Sequence, residues 1–143
     1  MPNSGAVSGI RRFGEVEVIT QLYMEDADTP KAHMGLRLSV VQPLNSGVAP
    51  KVSINAARIT LQEGGRRIAG RLDGPVDRYD LFGKNSRSSG DVMFPASIGK
   101  SENLRVTFGP GAVKVGGQLL DLAPIRFELK TSPEIYMFPC IPA

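Results

Sequence analysis

The sequence predicts an all-β protein, a single-domain antiparallel β-sandwich of the immunoglobulin-like or jelly-roll type with eight or nine strands. Three observations predict it. Apolar and polar residues alternate with a period of two through most of the chain, the pattern of half-buried strands. Sixteen Gly and eleven Pro punctuate that alternation at short intervals, as turns between short strands require. No stretch keeps the i, i+3, i+4, i+7 apolar spacing of an amphipathic helix.

The elements follow in order. Val16, Val18, Leu22 and Met24 share one parity, and Glu15, Glu17 and Gln21 share the other. This predicts a strand with one wet face. Residues 25–30, Glu-Asp-Ala-Asp-Thr-Pro, read as a turn, because Asp and Pro are poor strand formers and good turn formers. Met34, Leu36, Leu38 and Val40 alternate next, which predicts an antiparallel hairpin with the first strand.

After the break at Pro43 to Gly47, Val52, Ile54 and Ala56 alternate, then Ile59 and Leu61 with shifted parity. A parity shift inside extended chain predicts a β-bulge. Glu63-Gly64-Gly65 is a tight turn, so residues 57–72 read as a second hairpin with Ile68 and Leu72 inward. Residues 76–82 are compatible with a short strand or a helical turn. Residues 83–90 contain no hydrophobic side chain and read as an exposed, mobile loop.

Val92 and Phe94, then Leu104, Val106 and Phe108, resume the alternation. Val113 and Val115 lead to a turn at Gly116-Gly117. Leu120, Leu122, Ile125, Phe127 and Leu129 read as one long strand interrupted by Pro124, with the proline marking an edge or bulge. Residues 135–138 add a short terminal strand. The domain reading is a flexible N-terminal segment over residues 1–12, the sandwich over residues 13–138, and a tail over residues 139–143.

Composition narrows the chemistry. With one His and one Cys, a single chain cannot build a Cys/His zinc site, a multi-histidine metal centre or an internal disulfide framework. The longest apolar run is a few residues, far short of the ~20 a membrane-spanning helix needs. The net charge is +3, with 17 Lys+Arg against 14 Asp+Glu. The only adjacent arginine pairs are Arg11-Arg12 and Arg66-Arg67, and the nine aromatics are scattered, so no nucleic-acid footprint is expected. The opening residues lack the basic and apolar regions of a signal peptide. Their small, polar composition resembles a linker behind a removed segment, and the expectation is a periplasmic or secreted protein, with the cytoplasm as the alternative.

Candidate chemical groups are few. His33 is the sole histidine base, and no Gly-x-Ser-x-Gly elbow accompanies it. Its position beside a turn reads as a strand-edge side chain. Glu25, Asp26 and Asp28 cluster in one turn but lack EF-hand spacing. Asp73, Asp77 and Asp80 interleave with Arg71 and Arg78 and read as local ion pairing. Glu15 and Glu17 fall on the solvent parity of their strand and do not form an acid/base pair across a groove. Cys140 sits in a Pro-rich tail, where it is either buried and inert or free to pair with another chain.

No catalytic residue, metal ligand or cofactor site is expected. The expectation is a non-catalytic β-sandwich that binds another protein, in the manner of an inhibitor or immunity-type partner that blocks an enzyme with its loops. The contact residues expected are Lys84, Arg87 and Ser88 in the 83–90 loop and Glu25 and Asp28 in the 25–30 turn. The alternatives are a self-assembling structural subunit, in which the chain forms a homo-oligomer, and a hydrolase using acidic residues.

Overall fold

A computed structural model describes residues 7–26, 30–44, 50–81, 83–96, 103–131 and 135–139. The chain folds into strands β1 (Val7–Phe13), β2 (Val16–Glu25), β3 (His33–Pro43), β4 (Val52–Ile54), β5 (Ile59–Glu63), β6 (Arg66–Ala69), β7 (Arg71–Leu72), β8 (Asp77–Leu81), β9 (Asn85–Met93), β10 (Leu104–Phe108), β11 (Val113–Val115), β12 (Gln118–Leu120), β13 (Ile125–Thr131) and β14 (Ile135–Pro139). A single 3-10 turn, Ala56–Arg58, is the one helical piece among the described residues.

All strand pairings among the described residues are antiparallel. The first sheet runs β1-β2-β3-β9-β7, with β8 also on β9, the second β14-β13-β10-β5-β6, and the third β12-β11-β4. The sheets pack on one another as a sandwich. Alternation decides what they bury. The core-facing residues of β2 and β3 are Val18, Leu22, Met24, Met34, Leu36, Leu38 and Val40, and all are buried. They meet Ile54 of β4, Ile59 and Leu61 of β5, Leu104 and Val106 of β10, and Phe127 of β13 in one continuous cluster. Removing this apolar surface from water drives the packing. Among the described residues no helix is long and apolar enough to cross a membrane.

Several sequence expectations change. The stretch 83–90 is not an exposed loop. Residues 83 and 84 turn, and residues 85–90 begin β9, a central strand paired with β3 on one side and with β8 and β7 on the other. With both edges hydrogen-bonded, its backbone is satisfied without bulky side chains. Small residues are required there. A Cβ on Gly90 would stand 2.9 Å from Ile54 Cδ1, and Leu72 and Val76 lie 3.5 Å away. Neighbouring elements fill the space that a larger side chain would occupy.

The segment expected to be flexible at the N-terminus contains β1, which pairs with β2 from Val7↔Leu22 to Phe13↔Val16. The parity shift near Ala56 is a 3-10 turn, which carries the chain from β4 in the third sheet to β5 in the second. The return strand to Leu72 is divided at Gly70. There β6 of the second sheet ends and β7 of the first begins, a corner made by a strand that switches sheets. The long strand expected over residues 120–129 is likewise two strands in two sheets, β12 and β13. These divisions, with β1, β8 and β9, account for the higher strand count.

Candidate functional site

A polar group centred on Arg87 lies on the outward face of the first sheet, with the Ser39 and Ser89 hydroxyls buried beneath it. The register places it. Ser39 of β3 stands opposite Ser89 of β9, and Asp77 of β8 stands opposite Ser89 on the far side. One step along, Val41 faces Arg87 and Arg87 faces Tyr79. The core-facing neighbours Val40, Leu38 and Val92 fix this parity as outward.

Arg87 is half-buried and anchored. Its Nη2 donates to Ser39 Oγ at 3.3 Å, and the Ser39 and Ser89 hydroxyls hydrogen-bond each other at 3.0 Å. Its Nε is buried without a partner. Beside it Tyr79 is 47% exposed on edge strand β8. Arg78, on the opposite face of β8, donates from Nε to Ser86 Oγ at 3.0 Å. Serine hydroxyls of β3 and β9 therefore hold guanidiniums on the two faces of the sheet.

The expected contact residues separate in space. Lys84 is exposed in the turn before β9, and its carbonyl accepts from the Leu44 N–H at 2.9 Å. Ser88 is 3% exposed and faces inward, because it lies one residue out of phase with Arg87. It offers no surface to a partner. Glu25 is exposed at the end of β2, opposite His33. Asp28 lies outside the described residues, as does Cys140. Since Arg87 stands opposite Val41 and Glu25 opposite His33, the two groups sit eight positions apart along β3, about 27 Å. They occupy opposite ends of one face and do not form a single loop cluster. Tyr79 is the contact candidate sequence reasoning missed. Its signal was present, as an aromatic one residue from either of two charged neighbours in a segment of undecided structure.

The other end of this face carries titratable groups. His33 Nδ1 bonds the Lys31 carbonyl at 3.0 Å. His33 Nε2 stands 3.6 Å from Glu25 Oε2, beyond hydrogen-bond length and within ion-pair range when the imidazole is protonated. A shallow depression of about 240 Å³ borders His33, lined also by Lys31, Met93, Pro95 and Ala96. Arg37 pairs with Asp91 at 3.8 Å. Among the described residues no three His, Cys, Asp or Glu side chains are gathered to hold a metal ion.

Tyr23 lies across Gly35. A Cβ there would fall 2.4 Å from the Tyr23 Cζ, so only glycine admits the ring. Burial, reinforced by the negative charges of Asp91, Glu25 and Asp73, pushes the Tyr23 phenol up to about 12, with Arg37 pulling the other way. A free phenol titrates near 10. The folded state therefore holds the proton more tightly. The resulting stability is fully present below pH ~10 and is lost as pH rises through about 12. Denaturant titrations should show wild-type stability falling across that window, with a shallower fall in Tyr23→Phe. Identical alkaline profiles would contradict the assignment.

The chain matches no family model, no curated protein and no solved structure.

Proposed function

We propose that this chain is a non-catalytic protein-binding β-sandwich that blocks or escorts its partner, as an inhibitor or immunity-type protein does. The observation that carries the reading is the Arg87–Tyr79 pair. Arg and Tyr are the side chains most often found to dominate binding energy at protein interfaces. Here they stand directly opposite on adjacent strands, with the arginine held by the Ser39 hydroxyl before any partner arrives. A side chain already fixed loses less conformational entropy on binding. Lys84 adds a second cation at the same end of the sheet.

The test is capture from the native host by the tagged protein, read by mass spectrometry, followed by titration of the recovered partner. One stoichiometric partner is expected. Arg87→Ala and Tyr79→Ala should each weaken it by about 2 kcal/mol or more, roughly thirtyfold. Arg87→Ala should leave stability within about 1 kcal/mol, because it removes one hydrogen bond together with a buried, unsatisfied Nε. Recovery of bait alone, or undiminished affinity in both variants, would overturn the reading. Recovery of bait multimers would favour self-assembly.

A further inference from the structure

We infer that the outward face of the second sheet is a docking surface for an extended acidic segment of a partner protein, recognised by a row of arginines. The register builds the row. Arg67 of β6 stands opposite Gln62 of β5, Gln62 opposite Arg105 of β10, and Arg105 opposite Arg126 of β13. Their strand neighbours Leu61, Ile68, Leu104, Val106 and Phe127 are buried in the core, so the row faces outward. Arg67 and Arg126 are exposed and Arg105 is half-buried. This face lies on the far side of the sandwich from Arg87 and Tyr79.

Two features mark the row as more than a wet surface. Like charges placed directly opposite across strands destabilise a sheet, yet Arg105 and Arg126 are paired that way. Elsewhere Arg12, Arg37 and Arg66 each have a carboxylate partner. Among the described residues Arg67, Arg105 and Arg126 have none. Glu128, two positions beyond Arg126 on β13, shares its outward parity and marks the end of the row.

The overall span of the row suits a short extended ligand. Three inter-strand steps of ~4.8 Å carry the row about 14 Å from Arg67 to Arg126. Carboxylates at i, i+2 and i+4 of an extended peptide span about 13.6 Å on one face. A guanidinium binds a carboxylate through two parallel N–H bonds. Thr60 and Thr107 are among the outward residues beside the row, and β14 registers Phe138 opposite Glu128 at its far end. An acid-x-acid-x-acid segment lying across the strands matches the row in length and in charge.

The experiment titrates the intact chain with a nine-residue peptide of alternating Asp and Thr, and with its Asn counterpart, at low and at physiological salt. The Asp peptide should bind saturably, at least tenfold tighter than the Asn peptide, and more weakly as salt rises. Arg105→Gln and Arg126→Gln should each weaken it by about tenfold. Arg71→Gln on β7, and Arg87→Ala, should leave it unchanged. Arg105→Gln should also melt no lower than the parent, since the cross-strand repulsion is relieved. No saturable binding, equal affinity for the Asn peptide, or insensitivity to both glutamine variants would overturn the inference. So would tighter binding of a single-stranded oligonucleotide of equal charge. Because no captured partner is needed, failure here is distinct from failure at Arg87 and Tyr79.

Discussion

Phe94→Ala is expected to destabilise the fold by about 3–5 kcal/mol. Phe94 follows β9 and is fully buried. Its N–H donates to the Met34 carbonyl at 3.1 Å, which fixes the backbone where the ring enters the core. Truncation removes the ring's transfer free energy and leaves a hole that the surrounding strands cannot close, since they are held by ladder hydrogen bonds on both sides. Equilibrium denaturation should show a lower midpoint with an unchanged m value. Phe94→Leu, which refills most of the volume, should recover more than half the loss. A deficit below about 1 kcal/mol for the alanine variant would show that the site relaxes freely.

Gly70→Ala should cost about 2–3 kcal/mol by overpacking, although it adds one methyl group and requires no unusual dihedral angle. A Cβ at Gly70 would stand 2.5 Å from Val92 Cγ1, 2.8 Å from the Ala56 carbonyl and 3.0 Å from the Ile59 carbonyl. The Val92 side chain is fully buried and has nowhere to turn. The Ile59 carbonyl accepts the Gly70 N–H at 2.8 Å, so it cannot retreat without breaking that bond. Gly65→Ala is the control. A Cβ there meets nothing within 4 Å, and its stability should stay within about 0.5 kcal/mol of the parent. Equal midpoints for the two variants would show that the corner yields.

Legibility in the sequence followed side-chain contrast. Where Leu, Ile, Val or Met alternated with charged residues, strand and inward face were both readable, as in β2, β3, β10 and the β5–β6 hairpin. The contrast vanishes in β9. Its inward residues Ser86, Ser88 and Gly90 are small because neighbouring elements fill the space above them, and a run of Ser and Gly looks like a loop when its partners are unknown. Corners were hidden for a related reason. Gly70 and Pro124 read as interruptions of one strand, and nothing local says that the chain continues in a different sheet. The sequence points to Arg87 as a contact residue by its charge and by an expected loop position. The loop was wrong, and the charge is placed instead by cross-strand register with Val41 and Tyr79. The Arg67–Arg105–Arg126 row was invisible in one dimension, since its members are brought into line only by pairing four strands.

The β3–β9 ladder also sets a timetable. Ser39 and Ser89 are 50 residues apart in the chain, whereas β1, β2 and β3 follow one another directly in sequence. The first three strands can meet early, but the open edge of β3 must wait for a distant segment, and closing so long a loop is entropically slow. Refolding should therefore take milliseconds to seconds rather than microseconds. Throughout that interval Leu36, Leu38 and Val40 line an unpaired strand edge, the kind that recruits other chains. During synthesis this edge can be paired only once Met93 has left the ribosome, so chains halted before that point are expected to aggregate more readily than the complete chain.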